Sequence, residues 1–258
     1  MKKLFLILFS VIILFGVFYF SWISPKYTVP ILMYHNIGYD KGSFFVSPEN
    51  FTKQMEYIKK NGYAVITLDE LVASIKNKKS IQKKKVVITF DDGYKSNYQY
   101  AYPVLKKFGF PATIFLITDF IGRNPVFLSW DEVIVMSKDK ISFGGHTKTH
   151  FYLGSMIDEK AAFEEIIGSK KAIEHKIDMP VDYFCYPGGG FNEKTKALVT
   201  QAGYKGACTT NRGFVKFNRD VYELKRIKVT NSDAVKPFSF WVKLAGYYNI
   251  LRKEKSGY

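Results

Sequence analysis

The sequence is poor in cysteine and histidine, with two Cys and four His among 258 residues. Two cysteines exclude a disulfide framework, although Cys185 and Cys208 would still allow a single bridge in an oxidising compartment. Internal repeats and long linkers are also missing, which argues against solenoid and multidomain architectures. We therefore expect one folded domain of about 200 to 230 residues, enough for an α/β barrel.

Acidic residues are scarce relative to basic ones: 38 Lys and Arg face 23 Asp and Glu, giving a formal net charge of +15. Clustered Lys can indicate phosphate binding. The longest basic run, Lys76–Lys85, nevertheless has no interleaved aromatics and lies between a helical pattern and a strand. We expect a solvated loop there and no nucleic-acid partner, although an anionic membrane or cell-wall surface would also suit the charge.

No small-x-small cleavage site follows the apolar run Leu4–Ile23, which Lys2 and Lys3 precede. About 20 apolar residues are enough to cross a bilayer, whereas a signal peptide has a shorter apolar core and an A-x-A-like end. We expect residues 1–26 to be an uncleaved signal anchor, with cleavage and secretion as the alternative. The positive flank would keep the N-terminus in the cytoplasm and place the rest outside the cytoplasmic membrane.

From Val29 onward, short β-rich runs alternate with helical patterns, which is typical of parallel strands joined by helices. The number of runs suits a barrel of seven or eight strands. The predicted strands are Pro30–Tyr34, Tyr63–Thr67, Val86–Phe90, Ala112–Ile117, Ile141–Gly145, Tyr183–Pro187, Gly206–Thr210 and Leu224–Val229.

Polar residues predict where several helices begin. Ser47 with Pro48 marks one start and Asp69 another, and longer helical patterns run from Asp158 to Ile177 and from Asn192 to Ala202. We treat residues 27–232 as the catalytic domain. Residues 233–258 form an aromatic and basic helical tail, which we expect to pack on the barrel, with a position on the membrane as the alternative.

Two adjacent carboxylates, Asp91 and Asp92, end the buried-looking strand in Val86–Tyr94 (VVITFDDGY). Active sites of parallel barrels lie at this edge of the strands. The two side chains point in different directions, so one can ligate a metal while the other faces substrate as a base. Asp-Asp-Gly is also ordinary turn chemistry, which is the competing interpretation.

Two of the four histidines in the chain, His146 and His150, follow the predicted strand Ile141–Gly145 in the segment Ile141–His150 (ISFGGHTKTH). Imidazoles four positions apart can converge on one ion from a tight loop. Asp92, His146 and His150 together supply a carboxylate and two imidazoles with room left for water. That set predicts a catalytic metal site rather than a structural one.

These motifs resemble those of the polysaccharide deacetylases with a NodB homology domain, also called carbohydrate esterase family 4. The resemblance extends over Tyr27–Val229, with Thr89–Gly93 (TFDDG) as the first motif and His146–His150 (HTKTH) as the second. It implies a distorted (β/α) barrel with Asp91 as general base. It also implies that Asp92, His146 and His150 bind a divalent metal, most commonly Zn²⁺, with Co²⁺ or Ni²⁺ as alternatives.

The third family motif, usually Arg-x-Pro-x-Gly, stands here as Cys185–Gly189 (CYPGG). We expect the Gly188 amide to stabilise an oxyanion and Tyr186 and Pro187 to contact substrate. Cys185 replaces the Arg that orients the base, a departure that resembles the branch acting on poly-N-acetylglucosamine. The fourth motif, an Asp and a Trp, is not recognisable after Gly206–Asn211.

The fifth family motif, Leu-x-His, is replaced by Leu224–Arg226 (LKR). Arg stays protonated and cannot act as the general acid. Either Asp91 carries the proton both ways, with Arg226 holding it or contacting substrate, or His35 is the acid. His35 is equally compatible with a substrate contact or with a structural role.

The resemblance implies a monomeric hydrolase of carbon–nitrogen bonds that removes N-acetyl groups from an extracytoplasmic amino-sugar polymer: poly-N-acetylglucosamine, peptidoglycan or a chitin-like chain. Two alternatives stay open. One is a deformylase or deacetylase of a lipid-linked amino sugar, which the apolar N-terminus favours. The other is a catalytically weak carbohydrate-binding member, which the altered third and fifth motifs favour.

Overall fold

Short parallel strands form the centre of the protein, a computed structural model that describes residues 2–40, 42–79, 81–155, 158–210 and 217–251. The main sheet has the order β10-β9-β8-β7-β6-β5-β1-β11, with β4 beside β5, while β2 and β3 form a separate pair. The strands are β1 Ile31–Tyr34, β2 Asn36–Ile37, β3 Phe45–Val46, β4 Ala64–Val65, β5 Lys85–Phe90, β6 Ala112–Leu116, β7 Ile141–Gly145, β8 Tyr183–Cys185, β9 Gly206–Thr209, β10 Leu224–Lys225 and β11 Ile227–Lys228.

One stretch of chain brings the two ends of the sheet together. Leu224 of β10 pairs with Cys208 of β9, whereas Ile227 of β11 pairs with Leu32 of β1. Only Arg226 separates the two short strands, so the last strand changes partner at this residue and nearly closes the barrel. The predicted barrel is confirmed, but the single strand predicted over Leu224–Val229 is split by that change of partner.

Helices surround the barrel, and most of their predicted starts are confirmed. The side chains of Ser47, Asp158 and Asn192 accept hydrogen bonds from the first helical amides. The start predicted at Asp69 is wrong, because the helix is capped two residues earlier by Thr67, which forms a capping box with Glu70. The helices are α1 Lys2–Phe18, α2 Pro48–Lys60, α3 Leu68–Lys76, α4 Tyr102–Phe108, α5 Trp130–Ser137, α6 Glu159–Ile177, α7 Glu193–Gln201, α8 Asn231–Val235, α9 Pro237–Leu244 and α10 Tyr248–Leu251.

Alternate strand residues form two hydrophobic layers, as expected for a closed sheet. One layer lies between the strands and the surrounding helices. The other fills the barrel and joins Ile31, Val87 and Phe115 to Leu68 and Leu71 of α3. Helix α3 therefore closes the N-terminal end of the barrel, and the C-terminal strand ends are left free to form a site.

The apolar N-terminus is helical. Helix α1 continues through a π-helical turn, and the span Lys2–Ile23 has a mean hydropathy of 2.7 with none of it buried. In the described part of the chain this helix alone is long and apolar enough to cross a membrane. A signal sequence would satisfy the same criterion, so both predicted outcomes for this segment remain compatible with the structure.

The described part of the C-terminal tail, which stops at Leu251, packs on the barrel as we expected. Phe240 and Leu244 of α9 are buried, and the Phe240 ring lies 5.5 Å from Tyr57 of α2. Helix α8 begins at Asn231, whose Oδ1 accepts a hydrogen bond from the Ser47 amide at 2.8 Å. The residue that leads into the tail thereby helps to hold the start of α2.

We expect Phe240→Ala to destabilise the full-length chain by roughly 3–5 kcal/mol, because it removes a buried ring and leaves a cavity. Urea unfolding in a neutral detergent measures the change. Phe238→Ala is the matched control, since that ring is 75% exposed on the same helix, and it should alter stability by less than about 0.5 kcal/mol. Equal effects of the two variants would show that the tail is not part of the core.

Candidate active site

A cavity of about 520 Å³ opens at the C-terminal ends of the strands. Parallel barrels place their active sites at this face because every strand delivers its last residue there. Seven of the nine residues predicted for the site line this cavity. Its lining comprises Met33, His35, Phe44, Phe45, Asp91, Asp92, Tyr94, His146, His150, Gly188, Thr210, Arg226 and Lys228.

A strained turn aims Asp92 into the cavity. Asp92 and Gly93 both have positive φ, at 72° and 76°, a conformation that costs energy for a residue with a side chain. A Cβ on Gly93 would lie 2.7 Å from Leu116 Cδ2. Glycine is therefore required there, and the turn it permits separates the Asp92 carboxylate from that of Asp91.

Asp92, His146 and His150 converge as predicted. Asp92 Oδ1 lies 3.4 Å from His146 Nε2 and 3.7 Å from His150 Nε2, and all three ligand atoms fit within 4.8 Å of one another. Ligands about 2.1 Å from a tetrahedral ion are separated by roughly 3.4 Å. The donor set and its spacing thus fit a divalent metal with little rearrangement.

The loop carrying the two histidines is fixed by hydrogen bonds from two directions. His146 Nδ1 donates to the Cys185 carbonyl at 2.7 Å, and this bond directs Nε2 toward Asp92. Glu165 on α6 accepts hydrogen bonds from the Lys148 and Thr149 amides at 2.8 and 3.0 Å. These hydrogen bonds set the positions of both imidazoles.

Asp91 forms a buried, two-pronged ion pair with Arg226. Both of its oxygens lie 2.6 Å from guanidinium nitrogens, and Arg226 is fully buried. The remaining guanidinium bonds go to Thr89 Oγ1, the Thr209 carbonyl and Cys185 Sγ. The prediction that Arg226 binds substrate therefore needs correction, because its donors are already committed to the barrel and to Asp91.

The ion pair determines the charge of the Asp91 carboxyl. Burial alone would raise the pKa of the Asp91 carboxyl, but Arg226 outweighs burial and holds that pKa well below its usual range. Burial likewise opposes ionisation of Asp92, yet His146 lowers its pKa. Both carboxylates are consequently ionised at neutral pH.

His35 lies at the mouth of the cavity beside Asp91. Its Nε2 is 3.7 Å from Asp91 Oδ2, and its ring centroid is 4.6 Å from that of Phe44. Burial lowers the pKa of His35 despite the nearby carboxylate. The imidazole is therefore neutral at pH 7 and able to accept a proton from Asp91 or to bind a substrate group.

The turn after β8 places its residues differently from the prediction. Gly188, with φ of 60°, lines the cavity as expected. Tyr186 and Pro187 are buried outside the lining, and the Tyr186 hydroxyl donates to the Tyr222 carbonyl at 3.2 Å. The substrate contacts predicted for these two residues are wrong, because both side chains serve to shape the turn. Cys185 and Cys208 are free thiols.

The sequence prediction missed six of the residues that line the cavity, and three of these make contacts that bear on the site: Phe44, Tyr94 and Lys228. Tyr94 directly follows the Asp-Asp-Gly motif, and burial together with Asp92 raises the pKa of its hydroxyl to about 12. Lys228 Nζ sits 3.5 Å from the centre of the Phe44 ring. Phe44 lies in an irregular segment with no motif, so only Tyr94 had a local signal that pointed to the site.

Comparison with known proteins gives consistent matches. A family model for polysaccharide deacetylases matches residues 78–207. YxkH of Bacillus subtilis (strain 168), a protein assigned to the same family, is 34% identical over 225 residues, covering 86% of this chain and 80% of the relative. A poly-beta-1,6-N-acetyl-D-glucosamine N-deacetylase of Staphylococcus aureus (strain N315) is 27% identical over 73% of this chain and 69% of its own length.

A solved structure extends the match to the whole barrel. The Streptococcus pyogenes deacetylase PplD, in complex with acetate, superposes with a TM-score of 0.75 at 27% identity. The alignment covers 82% of this chain and 96% of that one. The similarity therefore includes the strands that carry the cavity described above.

We expect Arg226→Gln to shift the acid limb of the kcat/KM profile to higher pH, because the pKa of Asp91 rises once its cation is removed. The depressed pKa of Asp91 contributes stability that is present above about pH 4 and is lost only as pH falls through the lower folded value. The variant lacks this contribution, and its uncompensated buried charge should lower the free energy of unfolding by roughly 3–5 kcal/mol.

Arg226→Lys separates charge from geometry, since it keeps the cation but not the two-pronged contact. For Arg226→Lys, both the pH of the acid limb and the free energy of unfolding should lie between those of the wild type and Arg226→Gln. Arg123→Gln, at an exposed position, is the control and should change neither. An unchanged acid limb in Arg226→Gln would show that Arg226 does not set the protonation of Asp91.

Proposed function

Because the chain belongs to the polysaccharide deacetylase family, we propose that it removes N-acetyl groups from an extracytoplasmic polymer of β-linked N-acetylglucosamine. Each turnover consumes one water and yields acetate and a free amine. The names of the staphylococcal relative and of the acetate-bound streptococcal deacetylase support this substrate class. Conversion of neutral amides into amines would make the polymer cationic.

The observation that carries the proposal is the cluster of Asp92, His146 and His150 beside the ionised Asp91 in one open cavity. The donor set of one carboxylate and two imidazoles suits Zn²⁺, our candidate for the metal, with Co²⁺ or Ni²⁺ as substitutes. A bound divalent ion would polarise the acetamide carbonyl and lower the pKa of a bound water to about 7.

Asp91 is positioned to remove the proton from the attacking water. Its carboxylate faces the cavity next to the cluster, and Arg226 fixes both of its oxygens. A base with a depressed pKa is weak, so the water must itself be acidified for the transfer to be favourable. The Gly188 amide at the cavity wall is our candidate donor to the oxyanion that attack creates.

The proton must then reach the leaving nitrogen for the carbon–nitrogen bond to break. His35 is suited to this step because Nε2 lies 3.7 Å from Asp91 Oδ2 at the open side of the cavity. In this scheme the neutral imidazole receives the proton from Asp91 and donates it to the amine. Arg226 contributes only by holding Asp91, since a guanidinium does not release a proton at neutral pH.

For location, we propose that α1 anchors the chain in the cytoplasmic membrane with the barrel outside. The span Lys2–Ile23 is apolar except for Lys2 and Lys3 at its start, and these two positive charges support this orientation. A barrel outside the membrane has access to wall and exopolysaccharide chains. Cleavage after the span would give a secreted enzyme with the same site.

The decisive measurement is acetate release by the full-length chain, in neutral detergent with added Zn²⁺ or Co²⁺, from poly-N-acetylglucosamine, chitin oligomers and peptidoglycan. We expect release from one of these polymers, lost on chelation and restored by metal. Asp92→Ala should abolish both metal binding and release. Asp91→Asn should bind metal yet lose roughly 10²–10⁴-fold in rate, since it lacks the base.

Metal retention without acetate from any polymer would overturn the proposal. Activity toward a lipid-linked N-formyl or N-acetyl amino sugar would then identify the alternative amide hydrolase. Carbohydrate binding without turnover of either substrate class would identify a binding protein.

We expect His35→Ala to reduce kcat roughly 10²–10⁴-fold with metal content unchanged, because a general acid contributes to that extent. His35→Gln should behave alike, since an amide can bind substrate but cannot donate a proton of suitable pKa. His175→Ala, at an exposed position on α6, is the control. Full activity in His35→Ala would remove His35 from the mechanism and leave Asp91 to carry the proton both ways.

A further inference from the structure

A second, larger cavity of about 910 Å³ lies at the opposite end of the barrel. One wall is the segment that leaves the apolar helix, with Ser24 and Tyr27, and the other is α3, with Leu71 and Ile75. Helix α3 closes the N-terminal end of the strands, so this cavity is separated from the candidate active site by the whole barrel interior. The catalytic proposal gives it no role.

The rim of this cavity is cationic. Lys78, Lys79, Lys83 and Arg219 contribute to the lining, and no Asp or Glu among the described residues does so. All four side chains are exposed, and within the described residues none forms an ion pair with a carboxylate. Three of the six lysines in the basic run noted in the sequence, Lys78, Lys79 and Lys83, therefore line a concave surface.

The cavity adjoins the end of the apolar helix. Lys83 Nζ donates a hydrogen bond to the Tyr19 hydroxyl and lies 4.9 Å from the Tyr19 ring centre. Tyr27 in the cavity wall stacks edge-on with Tyr247 at 5.6 Å. Tyrosines and lysines at the end of an apolar span are typical of the membrane interface, where lipid headgroups lie.

We propose that this cavity binds the phosphate-bearing headgroup of an anionic phospholipid from the membrane that α1 crosses. Lysine and arginine donors at the rim match a phosphate, and Ser24 lies in the wall beside them. The apolar residues Leu71, Ile75 and Ile81 also line the cavity. They favour a lipid over a free anion, because they can contact the first carbons of the acyl chains next to the glycerol. The inference rests on the proposed membrane attachment but not on catalysis.

Bound lipid would hold the N-terminal end of the barrel against the bilayer. To test this, the full-length chain in neutral detergent is incubated with phosphatidylglycerol or with phosphatidylcholine of the same acyl chains, and bound lipid is counted by native mass spectrometry. We expect preferential retention of phosphatidylglycerol. Lys78→Gln/Lys79→Gln/Arg219→Gln should reduce that retention roughly tenfold, because each basic residue near a charged lipid contributes.

The matched control, Lys53→Gln/Lys160→Gln/Lys171→Gln, removes the same charge from exposed positions on α2 and α6. It should retain phosphatidylglycerol like the wild type, and all three proteins should release acetate at equal rates. Equal retention of both lipids, or equal losses in the two triple variants, would overturn the proposal. So would displacement of lipid by an equal concentration of glycerol phosphate, which would identify a soluble anion as the ligand.

The two proposals can fail separately. Loss of acetate release in every protein with lipid preference intact would reject the catalytic assignment alone. Release of the wild type from membranes by alkaline carbonate would reject the anchor, and the lipid site with it.

Discussion

The buried ion pair between Asp91 and Arg226 is the contact on which the catalytic end of the barrel depends. Two charges removed from water are stable only when geometry and additional hydrogen bonds compensate for desolvation. Here both carboxylate oxygens are engaged at 2.6 Å, and Thr89, Thr209 and Cys185 accept the remaining guanidinium hydrogen bonds. The pair also joins β5 to the point where the last strand changes partner. The same interaction therefore helps to close the barrel and orients the Asp91 carboxylate.

This arrangement explains how the site functions without the arginine expected before the Pro-Gly turn. Cys185 occupies that position, and its Sγ lies 3.0 Å from the guanidinium that arrives from the other side. The guanidinium that the resemblance would place in the third family motif comes here from the position of the fifth, and it lies beside Asp91. A thiol fits because burial raises the pKa of Cys185 and keeps it neutral, whereas a second cation there would face Arg226 in a dry interior.

The local parts of the site were predictable from the sequence, and the long-range parts were not. Asp92, His146 and His150 follow strands with clear patterns, and each motif spans only a few residues. The partner of Asp91 is 135 residues away, and nothing in Leu224–Arg226 indicates that a strand ends one pairing and begins another there. Tyr186 illustrates the converse error: its motif position suggested a substrate contact, but packing against Phe184 and Phe191 buries its ring. Glu165 was missed because its role depends on how α6 docks.

The polarity of the barrel bears on which amide reaches the site. The basic cavity, next to the end of the apolar helix, lies at the N-terminal end of the strands, whereas Asp91 and the cluster of Asp92, His146 and His150 lie at the C-terminal end. Strand β5 has six residues, so the two ends are separated by roughly 20 Å. A lipid-linked amino sugar has its amide close to the bilayer surface, and a barrel held at its N-terminal end would place the site beyond that depth. A polymer that extends away from the membrane meets the open end directly. This separation favours a polymeric substrate over a lipid-linked one for an anchored barrel, and it makes the orientation of the barrel as important to substrate choice as the residues of the cavity.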